Sequence, residues 1–61
     1  MPIVHITLIE GRKSEEIEKC MKDVAESIHL SLNAPLETIR IMVQEVPPNR
    51  FAVGTKLKSD K

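Results

Sequence analysis

Aromatic side chains are almost missing from this 61-residue chain, which holds one phenylalanine, Phe51, and no tryptophan or tyrosine. Large aromatic groups supply much of the burial in small cores, so any core here must be aliphatic. Cysteine is equally scarce. Cys20 is the only one, which excludes an intrachain disulfide and fits a reducing compartment. His5 and His29 stand far apart, and no pair of His, Cys or carboxylate residues shows metal-ligand spacing, so no metal is expected to staple the fold. An excess of charge is missing too, because nine Lys and Arg balance nine Asp and Glu. Zero net charge argues against a protein that spreads over phosphate backbone or anionic lipid, and neither nucleic acid nor membrane is expected as a partner. No apolar run approaches the ~20 residues of a membrane-spanning helix, and the amino terminus lacks the basic-then-apolar pattern of a secretory leader. A cytoplasmic protein is expected.

What is present is an ordinary globular mixture, 41% hydrophobic and 30% charged, read as one domain over residues 1–61. Burial worth ~25 cal/mol/Å² set against ~1.5 kcal/mol per ordered residue leaves a chain of this size near zero net stability. With disulfide and metal excluded, self-association is the remaining supplement.

Residues Ile3 to Ile9, IVHITLI, alternate so that Val4, Ile6 and Leu8 face one way and Ile3, His5, Thr7 and Ile9 the other, which predicts a strand. Glu10, Gly11 and Arg12 break the alternation. Ser14 is the expected N-cap of a helix whose first turn holds Glu15 and Glu16. Ile17, Cys20, Met21, Val24, Ala25, Ile28 and Leu32 then recur at steps of three and four, predicting an amphipathic helix of about 19 residues with Cys20 in its apolar stripe. Glu15 with Lys19 and Glu18 with Lys22 stand in the favourable i,i+4 order. Asn33 and Pro35 end the helix. A second strand is expected from about Thr38 to Val46, with Arg40 on the face away from the helix. A helix of that length returns the chain along the first strand, so the strands should be parallel in a right-handed βαβ crossover. Pro47, Pro48 and Asn49 predict a turn, Phe51 to Val53 a brief strand or hairpin, and Lys56 to Lys61 a polar tail. Such a unit leaves Ile3, Ile9, Met42 and Val46 uncovered, and its edges call for a neighbour's sheet. The fold class is therefore α+β.

Few residues here carry chemistry. His5 reads as a strand residue without an acid partner. Pro2 is the feature that stands out: removal of an initiator methionine before a small residue would leave a free secondary amine. The reference α-amine titrates at about 7.7–8.0, and burial or nearby cations lower that value, which suits a general base near neutrality. Proline's fixed φ would also hold the amine in place. Otherwise Pro2 is a proline that simply starts a strand. Arg12 past the end of the first strand and Arg40 on the second each offer a planar donor fork for a carboxylate. Phe51 reads equally as a satellite core residue or as an apolar wall for a ligand.

Taken jointly, PIVHITLIEGR, APLETIRIMVQEV and NRFAVG make a pattern that resembles the 4-oxalocrotonate tautomerase family of the tautomerase superfamily across nearly the whole chain. The resemblance implies a homohexamer, a trimer of dimers whose paired βαβ units form four-stranded sheets across each dimer. It further implies that Pro2 is the general base, moving a proton between the 2-hydroxyl oxygen and C5 of a dienol dicarboxylate such as 2-hydroxymuconate to give 2-oxo-3-hexenedioate. Arg40 of a neighbouring subunit would hold the C1 carboxylate and polarise the 2-oxygen, Arg12 would bind the distant C6 carboxylate, and Phe51 would keep the site dry. No cofactor is implied, and the setting would be catabolism of aromatic compounds. Gly54 followed by Thr55 departs from the family's glycine pair, and the tail is short. The alternatives are a promiscuous phenylpyruvate-type tautomerase acting on a 2-keto acid, a related decarboxylase or dehalogenase, and a non-catalytic subunit on the same fold.

Overall fold

The alternation in IVHITLI produces strand β1, Ile3–Ile9, whose odd-numbered residues up to Thr7 are exposed while Val4, Ile6 and Leu8 are half-buried. In the computed structural model, which describes residues 1–60, β1 is followed by helix α1 (Ser14–Leu32), a 3-10 turn (Leu36–Thr38), strand β2 (Arg40–Val46), a second 3-10 turn (Pro48–Arg50) and the short strands β3 (Ala52–Val53) and β4 (Lys56–Leu57). Strands β1 and β2 pair in parallel in a register that sets Ile3 beside Arg40 and Ile9 beside Val46. Strands β3 and β4 form a separate antiparallel hairpin. The fold is thus α+β, a βαβ unit with a small hairpin after it.

Gly11 makes the exit from β1 possible, because its φ of 135° lies where residues with a Cβ are strained. The helix starts one residue earlier than its N-cap serine suggests. Lys13 is the cap residue, and its backbone N–H donates to Glu16 Oε1 at 3.2 Å, the glutamate half of a capping box. Ser14 lies inside the first turn, where its hydroxyl donates to Glu18 Oε2 at 3.2 Å. That contact occupies the Glu18 carboxylate. The ion pair formed on the helix is Lys19 with Asp23 at 2.6 Å, in place of the expected Glu15–Lys19 and Glu18–Lys22 pairs. Asn33 closes the helix in the left-handed region at φ 56°, as a short polar side chain permits.

Further expectations are corrected. Thr38 does not begin β2: its N–H and hydroxyl both donate to Pro35 O, at 3.0 and 2.7 Å, and Ile39 N–H donates to Leu36 O at 3.1 Å. These local bonds close a 3-10 turn, so the strand starts at Arg40. Cys20 is exposed and does not belong to the covered stripe, which consists of Ile17, Met21, Val24, Ala25, Ile28 and the half-buried His29. His29 reaches its place by a 2.6 Å contact between Nδ1 and Ala34 O at the helix end. Lys56 and Leu57, read as the start of a polar tail, pair with β3, and Lys61 lies outside the described residues.

The hydrophobic sum is thin. Among the described residues only Ile39 is buried, at 9% exposure, while Ile3 and Met42 on the uncovered sheet face keep 64% and 52% of their surface open. A compact monomer of 6.9 kDa exposes about 4000 Å², whereas this chain exposes 4968 Å². The Cα radius of gyration of 14.6 Å likewise exceeds the ~10.5 Å of a compact chain of this length. Ile9 and Val46, expected to be open, are half-buried.

Candidate active site

The parallel register decides which residues meet. Pro2 immediately precedes β1 and Arg40 opens β2, so both lie at the same end of the sheet, and the Arg40 N–H donates to Pro2 O at 3.0 Å. That bond extends the ladder one residue beyond the strand and fixes the Pro2 peptide. Pro2 is half-buried. The Arg40 side chain is exposed and folds towards the preceding turn, its Nη1 donating to Glu37 O at 2.8 Å and more distantly to Ile39 O at 3.4 Å. Among the described residues no hydrogen bond uses Nη2 or Nε, so the rest of the fork is free to receive an anion.

Arg12 and Phe51 lie at the other end. Arg12 sits in the loop after β1 and Phe51 follows the turn after β2, with the two strand ends joined by the Glu10 N–H donating to Val46 O at 2.9 Å. Both side chains are exposed, Phe51 at 38%. A seven-residue strand spans about 23 Å, so the chain's own Pro2 cannot share one small ligand with its own Arg12. Of the four expected site residues, one chain therefore unites Pro2 with Arg40 by backbone and leaves Arg12 and Phe51 to the opposite end.

His5 is exposed on the uncovered face of β1, beside Met42. Among the described residues no cluster of three or more His, Cys, Asp or Glu groups could hold a metal ion, and no helix is long and apolar enough to cross a membrane. The hairpin extends further than the expected brief strand, because Lys56 and Leu57 pair with β3. Its turn places Gly54 at φ 62° with no positive φ at Thr55, the arrangement of a II′ turn, which needs glycine only at its first central position. Thr55 is therefore no defect. A Gly-Thr pair between two alternating segments is the signal that could have assigned β4, and with it Lys56 and Lys58, from sequence.

The chain is thus a βαβ unit in which Pro2 is hydrogen-bonded beside the strand residue Arg40. The model of the tautomerase enzyme family matches residues 2–61, and the chain belongs to that family. It is 44% identical over 61 residues to a "probable tautomerase" of Lactiplantibacillus plantarum, covering 100% of this chain and 95% of that one. It is 43% identical over 54 residues to a 2-hydroxymuconate tautomerase of Pseudomonas sp. strain CF600, covering 88% and 86%. Among solved structures, a heterohexamer 4-oxalocrotonate tautomerase from Chloroflexus aurantiacus superposes with a TM-score of 0.91 at 28% identity, covering 98% of this chain and 97% of that one.

Proposed function

We propose that this protein is a cofactor-independent isomerase of one domain that ketonises a dienol dicarboxylate, with the amino nitrogen of Pro2 as general base. The observation that carries the reading is the 3.0 Å bond from Arg40 N–H to Pro2 O, which keeps the first residue of the processed chain from fraying. With Met1 removed, that nitrogen is a secondary amine held at the edge of a covered sheet. The 2-hydroxymuconate tautomerase relatives supply the substrate class.

The amine takes the proton from the 2-hydroxyl oxygen, the diene electrons shift, and the protonated amine returns a proton to C5. The product is the conjugated 2-oxo-3-hexenedioate. Arg40 of a neighbouring subunit receives the C1 carboxylate and the developing charge on the 2-oxygen, a term worth ~10²–10³ in rate when one such donor is removed. Arg12 holds the C6 carboxylate, and Phe51 excludes water. The separation of Pro2 from Arg12 along β1 supports a site assembled from several chains, and the excess exposed surface supports burial of the open sheet face in a homohexamer, a trimer of dimers. Cytoplasmic catabolism of aromatic compounds is the corresponding setting.

Ultraviolet assay with 2-hydroxymuconate tests the base. Pro2→Ala replaces the anchored secondary amine of the processed chain by a mobile primary amine and should lower kcat/KM by ~10², the lower end of the range for a general base, while the assembly keeps its mass. Wild-type turnover by an assembled Pro2→Ala protein would contradict the assignment.

A further inference from the structure

The hairpin carries two lysines that the scheme above leaves unused. Its register sets Val53 beside Lys56, and the Lys58 N–H donates to Phe51 O at 2.8 Å, carrying the pairing on to Phe51 and Lys58. Directly paired residues project from the same face of an antiparallel ladder, and alternate residues along a strand share a face. One face of the hairpin therefore holds Phe51 and Val53 on the β3 side and Lys56 and Lys58 on the β4 side. These four, with Leu57 and Asp60, line a concavity of about 420 Å³. Asp60 belongs to the same lining, its Oδ2 accepting the Leu57 N–H at 2.9 Å, so its carboxylate offsets part of the charge of the two ammonium groups. Among the described residues neither ammonium takes part in a salt bridge.

We infer that this face selects the substrate by its second negative charge. Phe51 and Val53 receive the carbon chain, while Lys56 and Lys58 attract the carboxylate remote from the reacting carbons. The inference rests on the tautomerase reading and adds to Arg12, since hairpin and Arg12 both follow the same ends of the paired strands. An ammonium on a four-carbon stem is a movable point charge, unlike the rigid guanidinium fork. The lysines therefore favour diacids of more than one length over monocarboxylates, and they act chiefly on capture, KM, and not on the chemical step.

The test is calorimetric binding of adipate, a six-carbon diacid that cannot tautomerise, with turnover of a dienol diacid and of a monocarboxylate enol measured alongside. Lys56→Gln and Lys58→Gln should each weaken adipate binding up to about fivefold, the upper range for an exposed charge pair, and raise KM for the diacid alone with kcat unchanged. Lys56→Arg and Lys58→Arg should restore binding. Adipate affinity of the wild type should also fall with added salt, more steeply than in the double glutamine variant. Adipate binding that is unchanged in the double variant, or equal losses for diacid and monocarboxylate, would overturn the inference. If the double variant fails to assemble, adipate binding unchanged in both single glutamine variants overturns it. Adipate affinity is read without turnover, so a failure of Pro2 as base leaves this outcome independently decided.

Discussion

Met42 gives the sharpest handle on assembly. It lies on the sheet face opposite the helix, beside His5, and 52% of its surface is open in the single chain. Full burial of a methionine side chain is worth about 1.5–3 kcal/mol, so covering the open half contributes roughly 1 kcal/mol per copy. Met42→Glu removes that gain and adds an unpaired carboxylate to a dry contact, at an effective cost of several kcal/mol per ion. Closed symmetry repeats the cost in every protomer, and twice wherever two copies meet across a two-fold axis. The variant should therefore sediment as smaller species at ~10 μM, where a typical stable interface stays closed. Lys22→Glu, on the exposed face of α1, is the control and should leave sedimentation unchanged. A Met42→Glu protein with wild-type sedimentation and thermal midpoint would refute the argument that this face is covered.

The two arginines should separate in steady-state kinetics. Arg40→Ala should reduce kcat by ~10²–10³, because it meets charge that develops in the transition state, whereas Arg12→Ala should leave kcat near wild type and raise KM by about tenfold or more, the loss of one charged hydrogen bond. The opposite ranking would reverse the two roles. Asn33→Val should destabilise the protein by about 1–2 kcal/mol in denaturant titration, because a β-branched residue is placed at φ 56°, while Asn33→Gly should cost little; equal stability of both would discount the left-handed cap.

Period and punctuation made the large elements legible. IVHITLI, the three-and-four spacing from Ile17 and the Asn33-Pro35 stop produced β1 with its observed bounds and α1 with its observed end, its start lying one residue before the expected one. Boundaries failed where local hydrogen bonds outcompete propensity. Thr38 and Ile39 are β-branched and read as strand, yet in this register Thr38 would have to pair with Met1, where β1 has run out, and Pro35 O captures it instead. Cys20 followed the helical period but sits at the margin of the stripe, whose far edge His29 fills by reaching Ala34 O. Periodicity reports the direction of a side chain and carries no information about how wide a face the sheet covers. The candidate residues Pro2, Arg12, Arg40 and Phe51 were visible as types at positions. Their distribution over both ends of the sheet came only from register, and Lys56 and Lys58 became a face only once the Gly54-Thr55 turn paired them with β3.

The proposed base is one nitrogen, and nitrogen-15 NMR of protein labelled at proline observes it directly. The Pro2 resonance should have the shift of an amine and titrate with a pKa that coincides with the acidic limb of kcat/KM, the limb that reports the free enzyme's essential base. An amide shift, from methionine still attached, or an amine whose titration departs from that limb in a fully active enzyme, would contradict it.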